Sequence, residues 1–472
     1  MFDGVEARGA VPAAVGDDAW LAALLTVEAA LARAEAKVGL IAPATATAIA
    51  AACRPERFDL AALGAAAPAS GNPVVPLVAA LRSAVGPPAA EAVHLGATSQ
   101  DILDTAAMLV CRSALDAILA DLDAAAEAAA GLARTHRDTL MAGRTLLQQA
   151  APTTFGLEAA GWLSGLEAAA AGLRRVRDER LAVQFGGAVG TLAAVDAAGA
   201  DLGADDGADL GLAARAALAA ELGLHDAPLA WHTERTRIGE LAGALATASG
   251  AIAGPALDVV LLAQTEVGEV REGGAEATGR PARGGSSTLP QKHNPIAAVA
   301  ALACARQAPG LAATLFAAMA QEHQRAAGAW HAEWRPLREL CITVGSAAAW
   351  LRDCLERLIV DPERMTHNAG LTGGALLSER VVIGLTPVLG RGSASALVGE
   401  ALAASARSGR PFAELVAELV ADKAAATPTA FAAADVGARV DPAAWLDPSG
   451  YLGSARRLVD AALAAHQGRR ER

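Results

Sequence analysis

Five stretches, 105–139, 152–184, 233–271, 296–326 and 336–358, are rich in apolar residues and contain few helix breakers, and each is long enough for several helical turns. Alanine, the best helix former, supplies the largest share of their apolar positions. The pattern predicts a bundle of long helices from about 105 to 360. Ahead of it, Asp17 and Asp18 predict the cap of a helix running through Lys37, with Gly39 as its stop. Shorter helices fit 43–53 and 59–66, followed by a rigid turn at Ser70-Gly71-Asn72-Pro73. Beyond Asp361-Pro362 the composition loosens, and helices fit 376–389, 393–408 and 411–422. The expected divisions are an N-terminal helical domain (1–110), a central long-helix bundle (111–360) and a small C-terminal helical domain (361–472) with a frayed end.

Composition supports an all-α fold. Only 3% of the residues are aromatic, with one tyrosine and seven phenylalanines, which leaves little for sheet. A net charge of −12 argues against nucleic acid as a partner, but not against a small anion held by a few local cations. The five cysteines form no CxxC and no metal-ligand spacing, so reduced thiols, a cytoplasmic location and no metal are expected. The N-terminus, with Asp3, Glu6 and Arg8, shows no signal-peptide pattern. The apolar run 244–263 is long enough to span a bilayer, yet it holds Gly250, Gly254, Pro255 and Asp258. A helix apolar on all sides also suits the middle of a large bundle, and no membrane partner is expected.

Candidate chemistry gathers in the loops. The densest is Gly284-Gly285-Ser286-Ser287-Thr288-Leu289-Pro290-Gln291-Lys292-His293-Asn294-Pro295, which combines glycines, hydroxyls, a cation and an amide. Backbone N–H groups beside glycine can point at an anion. In His94-Leu95-Gly96-Ala97-Thr98-Ser99-Gln100-Asp101, Thr98 or Ser99 can cap the long helix that follows, whose start favours a carboxylate. Capping alone would also explain these hydroxyls. Gly143-Arg144-Thr145-Leu146-Leu147-Gln148-Gln149 reads as a turn before a helix capped by Thr153 or Thr154. Gly186-Gly187-Ala188-Val189-Gly190-Thr191 lacks the lysine and flanking strand of a nucleotide loop. In the polar stretch 321–334, Arg325 can reach an acidic ligand, though a solvated helix end is an equally simple reading.

These segments resemble the signatures of the fumarase/aspartase superfamily, with Leu289 where methionine is usual. The resemblance implies a three-domain all-α fold and a homotetramer whose active sites gather signatures from three subunits. It also implies a small di- or tricarboxylate substrate and no cofactor. By that resemblance Ser286 transfers the proton, supported by Lys292, while His94, Thr98, Ser99, Gln100, Thr145, Gln148, Asn294 and Arg325 bind substrate. Many members pair a histidine after the second signature with a glutamate after the central loop; here those positions are Leu146 and Val299. Both are apolar together, which reads as a different site rather than a damaged one. Asn72 also departs from the adenylosuccinate lyase pattern. Gly71-Asn72-Pro73-Val74-Val75-Pro76-Leu77 and Trp330-His331-Ala332-Glu333-Trp334 resemble the cycloisomerase family that closes 3-carboxy-cis,cis-muconate to a γ-lactone in protocatechuate catabolism. Gln149 stands where that family often has histidine, so a second acid is not assigned. Two alternatives stay open: a lyase that eliminates from a substituted succinate, and a non-catalytic scaffold, against which the intact Ser286, Lys292 and Asn294 speak.

Overall fold

A computed structural model describes residues 1–202, 209–273, 283–426, 428 and 442–471. The principal helices are α1 (Asp17–Lys37), α2 (Pro43–Ala52), α3 (Val74–Val85), α4 (Ser99–Thr135), α5 (Phe155–Glu179), α6 (Leu210–Leu222) and α7 (Thr236–Leu262). They continue with α8 (Ile296–Ala305), α9 (Ala308–Ala317), α10 (Ala329–Glu356), α11 (Ser378–Ser408), α12 (Phe412–Ala426) and α13 (Ala455–Arg470). Strands β1 (Leu140–Thr145) and β2 (Gln148–Thr154) form one antiparallel pair, and β3 (Val270–Glu272) and β4 (Leu358–Val360) another. The fold is the expected helical one.

Local chemistry accounts for most boundaries. Helix α1 begins after Gly16, with Asp17 and Asp18 in its first turn rather than as side-chain caps, and it ends before Gly39 in the left-handed region. Asn72 Oδ1 accepts from Val74 N and so caps α3. The stretch 296–326 is two helices, because Pro309 starts a new one and the residues after Ala317 leave helical geometry before α10. Two C-terminal helices merge into α11, which is kinked at Gly390.

The segment read as a turn is instead a hairpin. Thr145 and Gln148 are its last paired residues, and the two-residue turn between them puts Leu146 and Leu147 at φ of 52° and 63°. Positive φ at both central residues matches the twist of the flanking strands. The expectation of a cap holds, since Thr154 Oγ1 accepts from Leu157 N at the start of α5. Leucines at a turn that favours Asn-Gly concealed the hairpin from a sequence reading.

The chain forms two compact units, each drawn from three separated stretches. The first comprises Met1–Asp123, Ala168–Ala253 and Ala300–Leu351. Small residues let its helices approach closely: Ala30, Ala34, Ala106 and Ala114 have no exposed surface. The second comprises Ala124–Glu167, Gly254–Val299 and Arg352–Arg472. It includes an apolar cluster around Val381, Leu385, Phe412, Val416 and Trp445. Residue 110 lies inside α4, and residue 360 closes β4.

Candidate functional site

In the first unit, the start of α4 is built around Asp101. Its Oδ2 accepts from Thr98 N at 3.0 Å, a capping-box contact at the helix N-terminus. The same carboxylate accepts from Gly186 N at 3.0 Å, Gly187 N at 2.9 Å and His232 Nε2 at 2.7 Å. One buried side chain therefore starts the helix and anchors the glycine loop. Gly187 has φ of 70°, and a Cβ there would lie 2.9 Å from the Gly96 carbonyl oxygen, so this approach requires glycine.

One turn further, Asp104 lies in a buried ion network. Arg235 donates to both Asp104 oxygens, at 2.8 and 3.2 Å, and to both Glu333 oxygens, at 3.0 and 2.6 Å. Trp330 Nε1 donates to Asp104 at 3.0 Å, and Gln321 to Glu333 at 2.8 Å. Burial acts to lower the Arg235 pKa, but Asp104 and Glu333 outweigh it and the net shift is upward. Burial raises Glu333 above the usual carboxylate range, although Arg235 opposes the shift. Within Trp330–Trp334 this network uses Trp330 and Glu333 to position helix α10.

Thr98 and Ser99 lie half-buried at the helix start, while Gln100 has no exposed surface. The Gln100 amide donates to Asp104 at 3.1 Å and to the His232 carbonyl at 2.8 Å, and it accepts from Arg325 Nη1 at 2.8 Å. Its hydrogen-bonding atoms are thus engaged in aiming Arg325. Arg325 also donates to the Ala188 carbonyl at 2.9 Å. Among the described residues no carboxylate lies within ion-pair distance of Arg325, which leaves its charge available to an anion. His94, at φ of 65°, donates or accepts through Nδ1 at Glu28 Oε1, 2.7 Å away.

In the second unit, the central loop is pinched at its neck. Asn294 N and Nδ2 both donate to the Gly284 carbonyl, at 2.8 and 2.9 Å. A Cβ on Gly284 would lie 2.1 Å from the Asn294 carbonyl oxygen, so the neck admits only glycine. Inside the neck, Ser286 Oγ accepts from Leu289 N at 3.1 Å and Thr288 N at 3.3 Å. Two backbone donors aimed at one oxygen stabilise negative charge there. Lys292 N closes a turn on the Leu289 carbonyl, and its exposed ammonium has no protein partner among the described residues. The Asn294 amide nitrogen serves as a clamp for the loop.

Thr145 and Gln148 stand exposed at the hairpin tip beside Leu146, which is 97% exposed, and Leu147, which is 71% exposed. The hairpin is held just below this tip, one pair back from Thr145 and Gln148. Arg144 makes a bidentate pair with the fully buried Glu269, at 2.6 and 2.9 Å, and Asn368 Nδ2 donates to Glu269 at 2.8 Å. Glu272 accepts from Ala297 N and Ala298 N at the start of α8, next to the central loop. Burial raises the Glu272 pKa, and these two N–H groups oppose the shift.

The residues missed by sequence reasoning are mostly buried charges, Glu28, Asp101, Asp104, Arg235, Glu269 and Glu333, with the half-buried Glu272 beside them. Charged residues are ordinarily exposed, and nothing local marks these as buried. Only the carboxylates at 101 and 104 gave a signal, being spaced for one helix face.

The Lyase family model matches residues 10–310. A Bradyrhizobium diazoefficiens protein named 3-carboxy-cis,cis-muconate cycloisomerase is 44% identical over 96% of this chain and 94% of its own length. A Streptomyces davaonensis protein named nitrosuccinate lyase is 46% identical over 98% of this chain and 94% of its own length. The crystal structure of 3-carboxy-cis,cis-muconate lactonizing enzyme from Pseudomonas putida superposes with a TM-score of 0.86 and 38% identity, covering 99% of both chains. The signature loops, the helical fold and these near-full-length likenesses together make the chain a member of the fumarase/aspartase superfamily of lyases.

Proposed function

We propose that the chain is a 3-carboxy-cis,cis-muconate cycloisomerase. The observation that carries this reading is the near-full-length likeness, in sequence and in fold, to proteins named for that reaction. In the reaction, a carboxylate oxygen of the tricarboxylate bonds to an alkene carbon and closes a γ-lactone. The displaced π pair moves to the neighbouring carbon and spreads into its carboxylate. A proton delivered to that carbon completes the step, so that the trianion and one proton become the lactone dianion, and solvent returns the proton to the carrier. Ser286 is the proposed proton carrier. Its oxygen receives two backbone N–H groups, which support the charge it holds after giving up the proton. Lys292 adds a cation, while Arg325, Thr98, Ser99 and His94 supply donors for the substrate carboxylates, with Gln100 holding Arg325. Thr145, Gln148 and Asn294 complete the proposed substrate-binding set.

A homotetramer with signatures contributed by different copies belongs to this reading. The apolar helices support it: in both Thr236–Leu262 and Ile296–Ala317, 44% of the most apolar window is buried within one chain, leaving surface for other copies. By length and composition α7 (Thr236–Leu262) is also sufficient to cross a membrane. Light scattering without detergent separates the two: a particle of four chains supports assembly, and material that stays soluble only in detergent refutes it. The five free cysteines fit a cytoplasmic setting.

The deciding assay follows loss of diene absorbance from 3-carboxy-cis,cis-muconate, with Ser286→Ala as control. Rapid loss that falls by about 10²–10⁴-fold in the variant supports both substrate and residue. A folded tetramer without turnover refutes the substrate. A second reading, elimination from a substituted succinate to fumarate, is favoured by the likeness to the nitrosuccinate lyase. Release of fumarate from nitrosuccinate would establish it.

A further inference from the structure

His94 has a buried carboxylate behind it that the proposed chemistry does not use. Glu28, in the middle of α1, is 1% exposed, and its Oε1 lies 2.7 Å from His94 Nδ1. Among the described residues His94 is its only hydrogen-bond partner, and its second oxygen meets no donor. His94 holds φ of 65°, a region non-glycine residues rarely adopt, so the surrounding structure fixes its backbone. The His94 side chain is 13% exposed, and Nε2 has no protein partner among the described residues. One ring nitrogen is therefore fixed, and the other is left for a ligand, just ahead of Thr98 and the N-terminus of α4.

We propose that Glu28 is a positioning residue, which accepts Nδ1–H of His94 so that Nε2–H donates to a carboxylate of the substrate bound at the start of α4. The inference rests on the reading of His94 and Thr98 as carboxylate ligands. Its physical basis is charge balance. A buried carboxylate with one partner is costly unless that partner carries a compensating proton. An imidazole protonated at both nitrogens meets this need inside the protein and presents a donor with positive character outward. The anionic ligand then meets the outward Nε2–H, while the Glu28 carboxyl group stays enclosed behind the ring. Glu35, two turns along the same helix, is also buried, but neither of its oxygens meets a hydrogen-bond donor, so it serves as an internal comparison.

The test uses the full-length protein and tricarballylate, a tricarboxylate without the reactive diene. Glu28→Gln should raise Kd for tricarballylate and KM for 3-carboxy-cis,cis-muconate about tenfold, the value of one charge-assisted hydrogen bond, with kcat within about threefold. Glu35→Gln should leave both unchanged. In a His94→Asn background, Glu28→Gln should have no further effect on Kd, because its influence passes through the ring. In wild type, ¹⁵N spectra of the imidazoles should show both His94 nitrogens protonated with tricarballylate bound. Unchanged Kd in Glu28→Gln, an equal loss in the His94→Asn background, or a His94 ring indifferent to tricarballylate would overturn the proposal. If Glu28→Gln does not fold, the wild-type spectra alone decide. Absence of carboxymuconate turnover in wild type would refute the substrate reading instead, and the binding and ring data would still report on Glu28.

Discussion

Glu35 offers the sharpest energetic test of the fold. It sits on α1 with no exposed surface, and neither oxygen has a hydrogen-bond partner. Burial, and secondarily the nearby Glu28, push its pKa from 4.5 up to about 9. The folded protein therefore holds Glu35 neutral at pH 7, whereas the unfolded chain releases the proton. The sign follows from linkage: a raised folded pKa means stability is greatest below 4.5 and is lost progressively up to about 9. At about 1.4 kcal/mol per pH unit, the penalty is about 3 kcal/mol at pH 7 and about 6 kcal/mol at pH 9. Glu35→Gln keeps the shape and removes the titration. Its amide adds a cost of its own, but that cost does not vary with pH. The measurement is the stability difference between variant and wild type by urea unfolding at pH 5, 7 and 9, with hydrogen exchange in α1 peptides to localise it. The variant should gain on wild type by about 4–5 kcal/mol between pH 5 and pH 9. A difference constant within about 1 kcal/mol would show that Glu35 is ionised and paired in solution, and would refute the reasoning.

Other predictions follow from single contacts. Arg235→Met leaves Asp104 and Glu333 buried without their cation, and should cost about 3–5 kcal/mol in thermal or urea unfolding. Gly284→Ala sets a Cβ against the Asn294 carbonyl and opens the loop neck; turnover should fall at least about tenfold while the melting temperature moves little, since the loop is peripheral to the core. Cys111, Cys304, Cys341 and Cys354 are buried, and burial pushes the Cys53 thiol up to about 12, so Ellman's reagent at pH 8 should find no fast-reacting thiol in native protein and five after denaturation.

The sequence made the helices legible because alanine-rich stretches without breakers leave few alternatives, and Asn72, Thr154 and Gly39 marked ends where local hydrogen bonding decides. The central loop was legible as chemistry because glycine, serine, lysine and asparagine have no shared structural reason to cluster there. That two N–H groups fall on Ser286 Oγ depends on the turn the backbone makes over Ser286–Leu289, which residue types alone do not specify. The hairpin at 140–154 was hidden because its turn residues are leucines. The supporting carboxylates were hidden for another reason: Glu28, Glu269 and Glu333 find their partners 66, 125 and 98 positions away, and no window along the chain contains both members.

Asp101 has a consequence for how the molecule breathes. Its two oxygens hold amides from the helix start and from the loop at Gly186 and Gly187, 85 and 86 positions further on. Loop amides ordinarily exchange with solvent within minutes, because small local openings expose them. Here Gly186 and Gly187 can open only if a buried carboxylate gives up its donors, or if the first turn of a 37-residue helix unwinds with it. Two glycines in a segment without secondary structure should therefore keep their deuterium-exchange clock in step with the interior of α4.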